Sequence, residues 1–284
     1  MSRICQEVIF FLAALLFLVV NPDPSAGQTG PEFFPAGATL PRFLAGPRDP
    51  ISSFGILGVL RNPNQHGDGV EVEVSFGHAL PVLLFRGEAG APRVLLGLEA
   101  GVFARFGLQV LERELIATDW YFMVPAVWPK DWGWVRFRYY HSSSHMGDEY
   151  SRRFEDLGVN FSRDAADLFA YYRASEAVGI YSGFRYSYNV HPEESGRLVL
   201  RAGAEAQARE RGQGLRPYVA ADLEWDEDTT PDLRLDVKIG AWLPQVRGRR
   251  TLRLALGALW GPSPLGQFQY ETTTQIFLGL QGYF

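Results

Sequence analysis

The sequence predicts an all-β protein, a transmembrane antiparallel up-and-down β-barrel of about twelve strands with both termini in the periplasm. Three observations predict it. Apolar and polar side chains alternate over runs of about ten to sixteen residues, longer than the strands of a soluble sandwich. Trp120 and Trp128 stand at the two ends of one apolar face, where the aromatic girdles of a membrane barrel belong. After residue 27 the chain has no run of about eighteen apolar residues, so a membrane could be crossed only by strands.

The chain opens with Arg3, an apolar run from Val8 to Val20, and the helix-breaking "NPDPSAGQ". Residues 1–27 therefore form a cleaved secretory signal peptide, the run being too short to span a bilayer as a helix. The single cysteine, Cys5, lies within it, which excludes disulfides and thiolate metal sites from the exported protein. Cys5 also precedes the apolar run, so it is no lipid acceptor. Residues 28–50, rich in Pro and Gly and without a period, form a periplasmic lead-in, and residues 51–284 form the barrel.

Within the barrel the period of two is explicit. Val94, Leu96, Leu98, Ala100, Val102, Ala104 and Phe106 share one face, against Gly97, Glu99, Gly101, Phe103 and Arg105 on the other. Leu233 to Leu243 and Leu252 to Trp260 repeat the pattern, and Ile276, Leu278, Leu280, Gly282 and Phe284 close the chain on an apolar parity. Turn clusters of Gly, Pro, Asn and Asp divide the chain into strands near 51–60, 70–86, 93–107, 117–128, 133–144, 153–172, 179–190, 197–209, 215–225, 231–243, 249–260 and 268–284. The charged parity, including Glu99, Arg105, Arg136, Arg138, Arg201, Glu205, Asp222 and Glu224, lines the interior. A formal net charge of -5 leaves no basic patch for nucleic acid.

One strand breaks its own pattern. The apolar series Val135, Phe137, Tyr139 runs on into His141 and Ser143. A symmetric hairpin centred near Glu149 brings Glu155 opposite Ser143 and diagonal to His141, on a face continued by Leu157, Val159 and Phe161. Serine becomes a nucleophile when a histidine takes its proton, and the histidine needs an acceptor on its other nitrogen. His141, Ser143 and Glu155 supply those three groups. Asp148 and Glu149, beside His145, are candidate calcium ligands through their carboxylate oxygens. Asn160, Ser162 and Asp164 of "NFSRD" fall on the interior parity, where they bond arginines across the lumen. His66 and His191 read as turn residues, and His78 has no evident partner.

The order His141, one residue, Ser143, then Glu155 twelve positions on resembles the catalytic layout of the outer-membrane phospholipase A and lipid A deacylase barrels, with Tyr139 two before the His. This sequence departs from them after the serine, continuing Ser144, His145, Met146 before Gly147. The string "HSSSHMGDEY" also resembles a motif of an uncharacterised bacterial family of presumed outer-membrane proteins, which implies no assigned activity. The final Phe284 resembles the C-terminal signal of bacterial outer-membrane barrels, and implies the barrel assembly machinery as a partner and the outer membrane as location. Together the resemblances imply a serine esterase cleaving acyl esters of phospholipid or lipid A at the outer barrel wall. Membrane lipids, lipopolysaccharide and a second copy of the chain are the partners that follow. The competing expectation is a non-enzymatic pore, binding or structural barrel whose inward charges set selectivity.

Overall fold

The computed structural model describes residues 30–61, 69–87, 90–108, 113–209, 214–229, 231–244 and 252–283. The expected signal peptide over residues 1–27, His66 and Phe284 lie outside these residues. Twelve strands build a closed wall: β1 Ser52–Arg61, β2 Gly69–Arg86, β3 Pro92–Gly107, β4 Leu115–Lys130, β5 Gly133–Met146, β6 Phe161–Arg173, β7 Val178–His191, β8 Leu198–Gln207, β9 Arg216–Asp226, β10 Leu233–Trp242, β11 Leu252–Pro262 and β12 Thr272–Gly282. Each pairs antiparallel with its neighbours in the chain, β12 pairs with β1, and no edge is left between the first and last strands. Among the described residues no helix is long and apolar enough to cross a membrane.

The two parities separate as the alternation requires. Phe54, Ile56, Phe76, Leu98, Leu256 and Leu278 are exposed on the outside, whereas Glu99, Arg105, Arg136, Arg138, Asp222 and Glu224 are buried within. So continuous an apolar exterior is far larger than the few hundred Å² that a soluble monomer carries. The inward charges neutralise one another: Arg138 lies 3.0 Å from Glu99 and 2.7 Å from Asp167, and Arg105 bonds Glu73 at 2.8 Å. Such pairs are retained because removing one partner strands the other, at about 3–5 kcal/mol.

Within the segment 28–50, expected as a periplasmic lead-in, the described residues from 30 onward run through the lumen. Glu32 and Phe33 first pair with Leu84 and Leu83 of β2, covering the part of its edge that β1 does not reach. Leu40, Phe43, Leu44 and Ala45 are then buried inside, with the Phe43 ring stacked 3.8 Å from Tyr181. An irregular backbone in a lumen needs partners for its polar groups, and the inward charges provide them. Arg136, Arg253 and Lys238 donate to the carbonyls of Pro41, Leu44 and Ala45, while Glu205 accepts from Leu44 N at 3.0 Å. The chain re-enters the wall at Ile51, where Gly77 is required: a Cβ there would stand 2.3 Å from Ile51 N.

Two predicted elements end elsewhere. The sixth strand, expected over 153–172, begins at Phe161, because the preceding residues form helix α1 Asp148–Phe154 and a loop. The last, expected from 268, begins at Thr272, since Leu265 and Phe268 turn inward to pack with Ile116 and Tyr150 beneath α1. Gly266 allows this close approach, a Cβ there meeting Ser144 Cβ at 2.7 Å.

Candidate functional site

Along β5 the even residues Arg136, Arg138, Tyr140, Ser142 and Ser144 are buried in the lumen, so Val135, Phe137, Tyr139, His141 and Ser143 face outward. The imidazole and the hydroxyl thus stand on the outer wall, two residues apart, with Cα atoms about 6.7 Å from each other. On one side β4 sets Trp120 across from Ser143 and Phe122 across from His141, both exposed. That flank is apolar.

On the other side the structure overturns the expected hairpin. Ser143 pairs with Ser162, and His141 with Asp164. Glu155, the residue expected opposite Ser143, lies seven positions earlier in the chain than the residue found there. An odd offset exchanges the two faces of a strand. Accordingly Phe161, Arg163, Ala165, Asp167 and Phe169 are buried inside, and Ser162, Asp164, Ala166, Leu168 and Ala170 lie on the outer parity. Ser162 and Asp164 do not reach the lumen arginines, and Asn160 precedes the strand. Glu155 is the exposed cap of α1, in the left-handed region at φ 52, with its N–H donating to Ser151 O.

Asp164 now occupies the place expected for Glu155. Its Oδ1 lies 2.7 Å from His141 Nδ1 and accepts from Tyr139 OH at 2.9 Å. Its Oδ2 accepts from Asn189 Nδ2 at 2.9 Å. Asn189 reaches it through a register shift: Asp164 pairs with Asn189 but Ala165 with Ser187, leaving Tyr188 as an extra residue in β7. Bulges of this kind re-aim side chains beside functional sites. The three donors cover the carboxylate, whose side chain is 10% exposed, while that of His141 is 40% exposed. With Nδ1 engaged by Asp164, Nε2 of His141 is the nitrogen left for a neighbouring hydroxyl. The Ser143 hydroxyl holds no hydrogen bond among the described residues, and Ser162 sits across from both Ser143 and, on β7, His191. His191 therefore ends a strand beside the site; His78 is exposed on β2, away from it.

Asp148 and Glu149 occupy the first turn of α1, where Glu149 pairs with Arg152 at 3.5 Å on the surface. Among the described residues no group of three or more His, Cys, Asp or Glu gathers to hold a metal ion.

A hydroxyl, an imidazole and a carboxylate bound to the imidazole's Nδ1 thus lie together on the outer wall. Asn189 carries no mark in the sequence, and Asp164 and Ser162, expected on the interior parity, lie on the outer one. Counting the parity of β6 backwards from Ala170 and Leu168, and not forwards across the loop, puts Asp164 and Ser162 on the outer face.

Comparison with known proteins agrees with the barrel. The model of the family described as "Protein of unknown function (DUF1207)" matches residues 28–284. No curated protein matches the sequence. Among solved structures, outer membrane phospholipase A from Escherichia coli is similar with a TM-score of 0.59 at 14% identity, covering 87% of this chain and 94% of that one. The Salmonella typhi outer membrane phospholipase dimer with bound calcium gives 0.56 at 14% identity, covering 86% and 94%. At these identities the likeness is one of fold.

Proposed function

The chain belongs to the DUF1207 family, and for it we propose an acyl-ester hydrolase of the bacterial outer membrane that works from the outer wall of its barrel. The observation that carries this reading is the His141 imidazole held at 2.7 Å by Asp164, two residues along the strand from Ser143. A lone charge on a lipid-facing wall costs about 2–4 kcal/mol at mid-depth in the worst cases. Asp164 is not left as such a lone charge: it is bonded to His141, Tyr139 and Asn189.

Ser143 Oγ attacks the ester carbonyl carbon as His141 Nε2 takes its proton. His141 returns that proton to the departing alcohol, and a water molecule activated by the same nitrogen releases the fatty acid from Ser143. Asp164 orients the ring and stabilises its protonated form, with Tyr139 and Asn189 holding the carboxylate in turn. Phospholipid and lipid A are the substrate classes that fit, because their acyl esters reach the outer wall laterally within the leaflet. Trp120 and Phe122 offer the apolar flank along which an acyl chain can lie.

A conducting pore is disfavoured by the segment around Phe43 and Leu44, which is buried inside the barrel, and by Leu265 and Phe268, which turn inward beneath α1. The experiment is direct. Refolded protein given mixed phospholipid and lipid A should release fatty acid, and Ser143→Ala should abolish release with the barrel intact. Undiminished release by Ser143→Ala would remove the nucleophile and the reading with it.

A further inference from the structure

We propose that the lumen holds a binding site for a small tetrahedral oxyanion, inorganic phosphate being its simplest form, between the Pro47–Asp49 turn of the internal segment and the wall strands β5, β7 and β9. The cavity there has a volume of about 70 Å³. One water needs roughly 10–15 Å³ on that measure, so the space admits several waters or a single oxyanion.

The lining chooses between cation and anion. Six arginines reach the cavity: Arg48, Arg138, Arg163, Arg185, Arg201 and Arg234. Asp49, Glu224 and Asp226 are the carboxylates that join them. Five of the arginines are spent on acids, Arg48 on Glu73 and Asp119, Arg138 on Glu99 and Asp167, Arg163 on Asp228, Arg201 on Asp222 and Asp49, and Arg234 on Glu224. Arg185 is held differently, with its guanidinium 4.7 Å over the Tyr140 ring.

Among the described residues, the buried side-chain atoms of this lining that make no hydrogen bond are all donors: Arg48 Nη2, Arg185 Nε and Gln269 Nε2, and Arg201 Nη2, which keeps only its 3.6 Å ion pair with Asp49. A cation would find no such surplus of acceptors. Three unbonded donors from the internal segment, a wall strand and a loop, with Arg201 beside Asp49 as a further cation, suit the oxygens of a tetrahedral anion, and charge-assisted bonds of this type are the strong ones. Ser142, which also lines the cavity, lies between His141 and Ser143 in sequence but faces the opposite way, so the site is behind the wall that carries the outward hydroxyl. It does not depend on the esterase reading.

Titration of the folded, detergent-solubilised protein with sodium phosphate, followed calorimetrically, tests the assignment. One saturable site is expected, absent for sodium chloride at matched ionic strength. Arg185→Gln should weaken it by about tenfold or more, as befits the loss of one charge-assisted hydrogen bond. Gln269→Ala, a loop variant that leaves the wall untouched, should weaken it as well and carries the comparison if Arg185→Gln does not refold. Absence of saturable phosphate binding, equal affinity in the refolded variants, or saturation by chloride alone would each overturn the proposal.

Discussion

His141 and Asp164 are direct cross-strand partners on β5 and β6, and their side chains meet at 2.7 Å between Nδ1 and Oδ1. In the proposed esterase this pairing supplies the acid, and it dictates which variants matter. Asp164→Asn should cut fatty-acid release on the order of 10³–10⁴-fold, the scale on which loss of the orienting carboxylate and the correct tautomer acts. Glu155→Gln should leave the rate unchanged, because Glu155 is the exposed cap of α1. Turnover measurements on both variants check this; the reverse ranking would return the acid to Glu155.

Two hydroxyls compete for the nucleophile's role. Ser143 and Ser162 face each other across the strand pair, whereas Ser144 points into the lumen and donates to Asp119 at 2.6 Å. Ser143→Ala should end acyl-enzyme formation, Ser162→Ala should lower the rate without ending it, and Ser144→Ala should keep most activity. Mass spectrometry after reaction with a lipid-like phosphonate would identify the modified serine, and labelling at Ser162 would shift the assignment by one strand.

Tyr139 and Asn189 act through Asp164, so their loss should appear in turnover more than in substrate affinity. Tyr139→Phe removes one donor to Oδ1 and leaves His141 in place. A net hydrogen bond to a charged group contributes about 1.5–3 kcal/mol, so a fall in kcat of roughly ten- to a hundredfold with little change in KM is expected. An equal rise in KM would mean that Tyr139 binds substrate instead.

The internal segment makes a prediction about conductance. Arg48 ties it to Asp119 at 3.1 Å and to Glu73 at 3.2 Å, and Lys238 holds the Ala45 carbonyl at 2.7 Å. Protein in planar bilayers should be silent. Deletion of residues 30–49, or the double substitution Phe43→Ala and Arg48→Ala, should produce steady open currents. Steady conductance by the unaltered protein would move it to the transport class.

The loop before β12 carries a pH dependence. Burial, with the Asp156 carboxylate nearby, pushes Glu271 up to about 7. The folded state therefore holds this proton more tightly than the unfolded chain. The resulting stabilisation is complete below the ordinary carboxylate range, declines as pH rises, and is gone above about 7. Heat-induced unfolding should occur at lower temperature at pH 8 than at pH 5, and Glu271→Gln should flatten that difference. An unchanged pH profile in the variant would show that other groups dominate.

The wall and the outward direction of His141 and Ser143 were legible in the chain because facing is a local property: side chains alternate along each strand whatever its neighbour does. The inward series from Glu99 to Arg105 and the outward series from Val135 to Ser143 needed nothing more. Pairing across a loop is not local. Helix α1 advances the chain by a rise unlike a strand's, so its seven residues erased the parity between β5 and β6, and only the folded register put Asp164 against His141. The extra residue Tyr188 likewise carries no periodic mark, yet it turns Asn189 onto the carboxylate. Residues 30–50 lack any period because they join no sheet beyond Glu32 and Phe33. Their course through the lumen was settled by buried arginines, a lysine and a glutamate that required backbone partners, a demand that exists only once the barrel has closed around them.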